Sequence, residues 1–154
     1  MREPVTAYVA LGANLGKPVQ AVCEALVHIG ELPGTRVVRH SSLYRTAPVH
    51  CDGPDYINAV AEVATSLTAP ELLAQLQAIE HAAGRTRPYP NAPRTLDLDL
   101  LLFGGARIDS AALQVPHPRM NQRAFVLVPL AEIAPQRVAP ADLAAVADQS
   151  LARI

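Results

Sequence analysis

Between Pro93 and Gly104 the chain reads Arg94-Thr95-Leu96-Asp97-Leu98-Asp99-Leu100-Leu101-Leu102-Phe103, two acids inside an otherwise apolar run. The run is short for a helix and has the length of a buried strand. In a strand, residues i and i+2 point to one face. Asp97 and Asp99 would then project side by side, roughly 6 to 7 Å apart. Like charges so placed repel, and burying them calls for a positive group between them. A hard divalent cation meets that need and often brings phosphate with it. Arg94 adds a fixed cation at the same end. On this segment alone a solvated edge and a functional acid pair stand equally open.

The rest of the chain is consistent with one domain. Its 154 residues suffice for a core, and 50% of them are hydrophobic. The net charge of −1 gives no basic field for nucleic acid. Cys23 and Cys51 do not form a metal-ligand pattern and read as two free thiols. Met1-Arg2-Glu3-Pro4 runs straight into a strand-like segment without a signal-peptide pattern, and no apolar stretch reaches membrane-spanning length. The expectation is a cytoplasmic monomer, one domain over 1–154, with no nucleic-acid or membrane partner.

Hydrophobic periodicity predicts a strand from Val5 to Leu11, a helix opened by Pro18 and closed at Gly30, and a second strand from Arg36 to Thr46. A third strand follows at Tyr56 to Thr65, then a helix from Pro70 to Gly84 and a Pro-rich loop to Pro93. After the Asp97/Asp99 strand come a short hairpin or irregular piece over Arg107 to Val115, a helix from Asn121 to Glu132, and a last helix over Pro140 to Ile154. The order β-α-β-β-α-β with a helical tail is an α+β, ferredoxin-like plan, a sheet with helices on one face. A fold of this kind names no function by itself.

Several residues stand out against that frame. Gly12-Ala13-Asn14-Leu15-Gly16-Lys17-Pro18 has three residues between its glycines and Pro after the Lys, so it is not a P-loop. A glycine turn accounts for it. Asn58 sits inside a β-run, where Asn is disfavoured; either neighbouring backbone satisfies it or it reads a heterocycle with mixed hydrogen-bonding edges. Gln77 and Glu80 fall on the polar side of the second helix, usually a solvated face. Arg85, Arg87 and Arg94 bracket the loop before the acid pair, as a lid over phosphoryl transfer would require. His117 is framed by Pro116 and Pro118, with Arg123 and Phe125 close behind.

Taken together these residues resemble the 6-hydroxymethyl-7,8-dihydropterin pyrophosphokinase family. The resemblance rests on the run from Pro93 to Leu101 and on blocks in matching order: Gly12 to Gly16, Ser42 to Pro48, Asp55 to Ala59, Ile79-Glu80 with Gly84-Arg85, Val115 to Pro118, and Arg123 to Phe125. It implies transfer of the β,γ-pyrophosphoryl unit of ATP to a pterin hydroxymethyl group, a step of folate biosynthesis. It implies that Asp97 and Asp99 hold two magnesium ions and that Arg85 and Arg94 stabilise developing phosphate charge. Thr46, Ala47, Pro48, Val49 and Asn58 would receive the pterin, with Tyr56 and Phe125 flanking its ring. Gln77, Arg87, Leu113, Val115, His117 and Arg123 would contact ATP, with Glu80 supporting on the nucleotide-side helix.

The chain departs from the family in two places. Ala13 stands where members commonly have Ser, and Pro88-Tyr89-Pro90-Asn91-Ala92 replaces a lid segment with a tryptophan and more basic residues. Tyr89 is the aromatic left to cover the site, and slower lid closure is expected. Two other readings are a metabolite-binding module without catalysis and a metal-dependent phosphohydrolase using the same acids.

Overall fold

The computed structural model describes residues 3–47, 54–83 and 96–154. Pro48, Val49, Arg85, Arg87 and Arg94, together with the expected lid and Tyr89, lie outside the described residues.

Strand β1 (Val5–Ala13) is an inner strand of the sheet, paired antiparallel with β4 (Tyr56–Thr65) on one side and β5 (Asp97–Phe103) on the other. Strands β2 (Thr35–His40) and β3 (Tyr44–Thr46) both pair antiparallel with β4, one after the other along its far side. The order across the sheet is therefore β5, β1, β4, then β2 with β3. Helix α1 (Pro18–Gly30) opens on its proline, and Gly16 makes the preceding turn with φ 64°. Helix α2 (Ala69–Ala82) starts from a reciprocal cap: Thr68 Oγ1 accepts from Glu71 N at 3.2 Å, and Glu71 Oε1 accepts from Thr68 N at 2.8 Å. A two-residue hairpin, β6 (Ile108–Asp109) and β7 (Gln114–Val115), follows β5.

The second predicted strand differs from expectation. It is not continuous from Arg36 to Thr46 but breaks between β2 and β3, after a register shift between Val37 and Arg39. Ser41 keeps the gap attached: its backbone N–H donates to Val60 O at 2.9 Å, and its hydroxyl accepts from Val60 N at 3.0 Å. A side chain thus replaces the ladder bond that the irregular backbone cannot make.

The helices lie on both faces, not one. Val22, Ala25 and Ile29 of α1, with Leu72 and Leu76 of α2, form one core with Val9, Leu11, Leu98 and Leu100. A second core joins Tyr8, Val60, Leu101 and Leu102 to helix α3 (Ala124–Ile133) through Val126, Leu127 and Leu130. The reason is in β5: its leucines are apolar toward both faces, and a register shift between Tyr8 and Val9 lets Leu101 and Leu102 both serve the second core. Both apolar faces must then be covered.

The region after Val115 also departs from the pattern. A 3₁₀ turn at Met120–Gln122 precedes α3, and Arg123 between them is extended. Gln149 fills that break, accepting from Ala124 N at 2.9 Å and donating to Gln122 O at 2.9 Å. The tail is not one helix. Helix α4 covers only Pro140–Ala145, Leu143, Val146 and Leu151 pack on the second core, and Ala152–Arg153 form strand β8 beside β3.

Candidate active site

The site is a row across the sheet. Asp97 of β5 pairs with Gly12 of β1, Gly12 with Asn58 of β4, and Asn58 with Tyr44 of β3. One step along, Asp99 pairs with Ala10, and Ala10 with Val60. Leu98 and Leu100 point into the first core, so the pleat turns Asp97 and Asp99 to the opposite face. Both acids are half-buried. The same-face expectation for the pair therefore holds in the geometry. Opposite them stand Gly12 and Ala10, whose side chains are absent or small. The acids thus face two of the smallest residues of β1 across the ladder.

Gly12 has a second consequence. A Cβ added there would come to 3.1 Å from Asn58 Oδ1. The residue is a spacer in the middle of the row as much as a turn glycine, a role hidden from local pattern because the pairing partner is 46 positions away. Asn58 is 5% exposed and donates through Nδ2 to Thr46 Oγ1 at 2.8 Å. Its neighbour is thus a side chain from β3, not backbone. Thr46 is buried, Ala47 exposed and Tyr56 half-buried at the same end of the sheet. Asn14 ties the turn after β1 to the start of β4, donating to Pro54 O at 3.1 Å.

His117 comes to the acid side of the row. Its backbone N–H donates to Leu101 O at 2.9 Å, and its Nδ1 accepts from Arg119 N at 3.2 Å. That bond favours the tautomer with the proton on Nε2. Burial lowers the His117 pKa first, the charges of Arg123 and Arg119 lower it further, and Asp97 opposes them. The imidazole is thus held neutral in the ordinary range, within electrostatic reach of Asp97 and two guanidiniums. Arg123 stacks over Phe125, 5.4 Å from the ring centroid, at the start of α3.

Gln77 and Glu80 part company. Gln77 is exposed, whereas Glu80 is 3% exposed on the buried stripe of α2, one turn beyond Leu76. Glu80 is not a solvated-face residue: its Oε2 accepts from Leu98 N at 2.7 Å, on the edge of β5 that β1 does not pair. Leu113 and Val115, on the β6–β7 hairpin, have side chains in the first core.

Comparison with known proteins gives this geometry a family. Residues 8–135 match the family described as 7,8-dihydro-6-hydroxymethylpterin-pyrophosphokinase (HPPK). The chain is 47% identical over 137 residues to the 2-amino-4-hydroxy-6-hydroxymethyldihydropteridine pyrophosphokinase of Haemophilus influenzae, covering 88% of this chain and 86% of that one. Identity to the protein of the same name from Pseudomonas aeruginosa is 49% over 129 residues, covering 83% of this chain and 80% of that one. Among solved structures, a Plasmodium falciparum HPPK-DHPS triple mutant with STZ-DHP superposes with a TM-score of 0.70 at 14% identity, and the wild type with pterin and p-hydroxybenzoate with 0.68 at 14%. Those two likenesses cover 88% of this chain but only 41% and 40% of the fused chains, and they speak for the fold.

Proposed function

The chain belongs to the 7,8-dihydro-6-hydroxymethylpterin-pyrophosphokinase family and is an enzyme, and we propose that it transfers pyrophosphate from ATP to 6-hydroxymethyl-7,8-dihydropterin. The observation that carries this reading is the row in which the acid pair and Asn58 flank a glycine on one face of the sheet. One end of the row suits a cation and polyphosphate; the other offers an amide to a heterocycle.

In the reaction, the pterin hydroxyl oxygen attacks the β phosphorus of ATP. The bond from that phosphorus to the α,β-bridging oxygen breaks, AMP leaves with that oxygen, and the hydroxyl proton passes to solvent. Little covalent help is required of the protein; it must position the reactants and meet their charge. Asp97 and Asp99 fit magnesium, since both are carboxylates, share a face and confront small residues. When bound, two such ions neutralise the triphosphate. Arg85 and Arg94 meet charge on the transferred group, and Arg87, Arg123, His117 and Gln77 hold the nucleotide, with Leu113 and Val115 beside it. Neutral His117 donates from Nε2 without adding charge. Asn58, with Thr46, Ala47, Pro48 and Val49, orients the pterin between Tyr56 and Phe125. Glu80 acts through β5.

The antiparallel order β5, β1, β4, β2/β3 supports the ferredoxin-like plan, with one domain spanning 1–154. No helix among the described residues is long and apolar enough to cross a membrane. We place the enzyme in the cytoplasm as a monomer.

The deciding experiment is chromatographic detection of AMP from ATP and magnesium, with and without 6-hydroxymethyl-7,8-dihydropterin. AMP is expected only with the pterin. Phosphate or pyrophosphate released without an acceptor would instead mean a phosphohydrolase. A folded protein that binds pterin and yields no AMP would mean a binding module.

A further inference from the structure

Thr46 fixes the Asn58 amide, yet it stands on a strand three residues long. So short a strand has little stability of its own. On one side β4 holds it. On the other, β8 pairs Arg153 with Tyr44 and Ala152 with Arg45, and Ile154 N donates to Leu43 O at 3.0 Å.

A carboxylate from the opposite layer completes the hold. Glu132 of α3 accepts from Ser42 N at 3.1 and 3.0 Å, from Ser42 Oγ at 2.8 Å and from Tyr44 Oη at 2.6 Å. Arg153 lies 3.5 Å from the same carboxylate, donates to Tyr44 Oη at 3.2 Å, and stacks over the Tyr44 ring at 5.7 Å. Three segments far apart in sequence thus meet on one phenol.

We propose that Glu132, Tyr44 and Arg153 form a clamp that positions the pterin side of the site, setting where β3 presents Thr46 and hence how Asn58 is aimed. The inference rests on the reading of the row given above. Two arguments make this positioning and not mere attachment. Val126, Leu127 and Leu130 already dock α3 onto the sheet through apolar burial, so the polar clamp supplies direction. Tyr44 is also the cross-strand partner of Asn58, so a shift of the phenol is passed directly to the amide's strand pair. The acid end of the row lies beyond Gly12 on β5, two strands away from β4, whose far side carries β3 and the clamp.

The test is steady-state kinetics of wild type, Tyr44→Phe and Arg153→Gln, with each substrate varied in turn. Tyr44→Phe keeps the ring and removes the hydroxyl that both Glu132 and Arg153 engage. The expected result is a KM for the pterin raised roughly five- to twenty-fold, part of what one charge-assisted hydrogen bond is worth. The KM for ATP should stay within about two-fold. Arg153→Gln, on an exposed side chain, should give a smaller shift in the same direction, and it carries the test if Tyr44→Phe does not fold. Unchanged pterin KM in the folded variants, or equal rises for both substrates, overturns the clamp. A wild type that forms no AMP with pterin overturns the functional reading instead, which keeps the two failures apart.

Discussion

Glu80 Oε2 accepts the backbone N–H of Leu98 at 2.7 Å, so helix α2 grips strand β5 at the one residue between Asp97 and Asp99. An unpaired edge strand is free to fray or to slip. Here a buried carboxylate pins it where the two acids must stay in step.

Replacing Glu80 with Ala leaves that edge N–H without this acceptor inside the protein. The expected loss is about 1 to 3 kcal/mol of folding stability, read from urea unfolding. Glu80→Gln keeps an acceptor oxygen and should lose less. Equal stability of Glu80→Ala and wild type would show that the contact does not hold the strand.

Asp97→Asn should cut AMP formation by at least about 10³-fold, or roughly 4 kcal/mol of transition-state stabilisation. The fold should survive, because the side chain is half-buried and no core cavity opens. A collapsed far-UV circular dichroism spectrum would make the pair structural.

Gly12→Ala is a test of the spacer. The added methyl comes to 3.1 Å from Asn58 Oδ1, so the amide must give by a few tenths of an ångström. A cost of about 1 kcal/mol, roughly five-fold in pterin affinity, is expected. Fluorescence titration with the pterin reads it directly, and nucleotide affinity should move less. An unaltered pterin affinity would show that the amide does not need its present place.

His117 gives a pH signature. Its pKa is lowered from 6.5 by burial and by Arg123 and Arg119, so the folded chain binds this proton less well than the unfolded one. Its contribution to stability is therefore complete above about pH 6.5 and is lost as pH falls through that value toward the lowered one. The difference in thermal midpoint between wild type and His117→Gln should shrink from pH 7.5 to 5. A constant difference would contradict the assigned environment.

Much of this was legible in the chain. The strict alternation of Asp97, Leu98, Asp99 and Leu100 placed the acids on one face, and the structure agrees. Pro18 and Gly30 bounding α1, and Pro70 in the first turn of α2, act locally and read well. What escaped depends on contacts between distant positions. The break at Ser41 is stabilised by Val60, the tail strand by β3, and the break before α3 by Gln149. Glu80 looked solvated because periodicity cannot distinguish a polar face from a buried acid with a backbone donor waiting for it.

The sheet is a bulkhead between two hydrophobic compartments. The helices α1 and α2 fill one, and the reactive row opens on the other. Substitutions at Val22, Ile29 or Leu72 reach the row only from behind, through Leu11, Leu98 and Leu100 on the far side of its strands. Val60 and Leu127 lie in the compartment on the row's own side of the sheet. Glu80 is a breach in the wall, reaching from the quiet side to the strand that bears the acids.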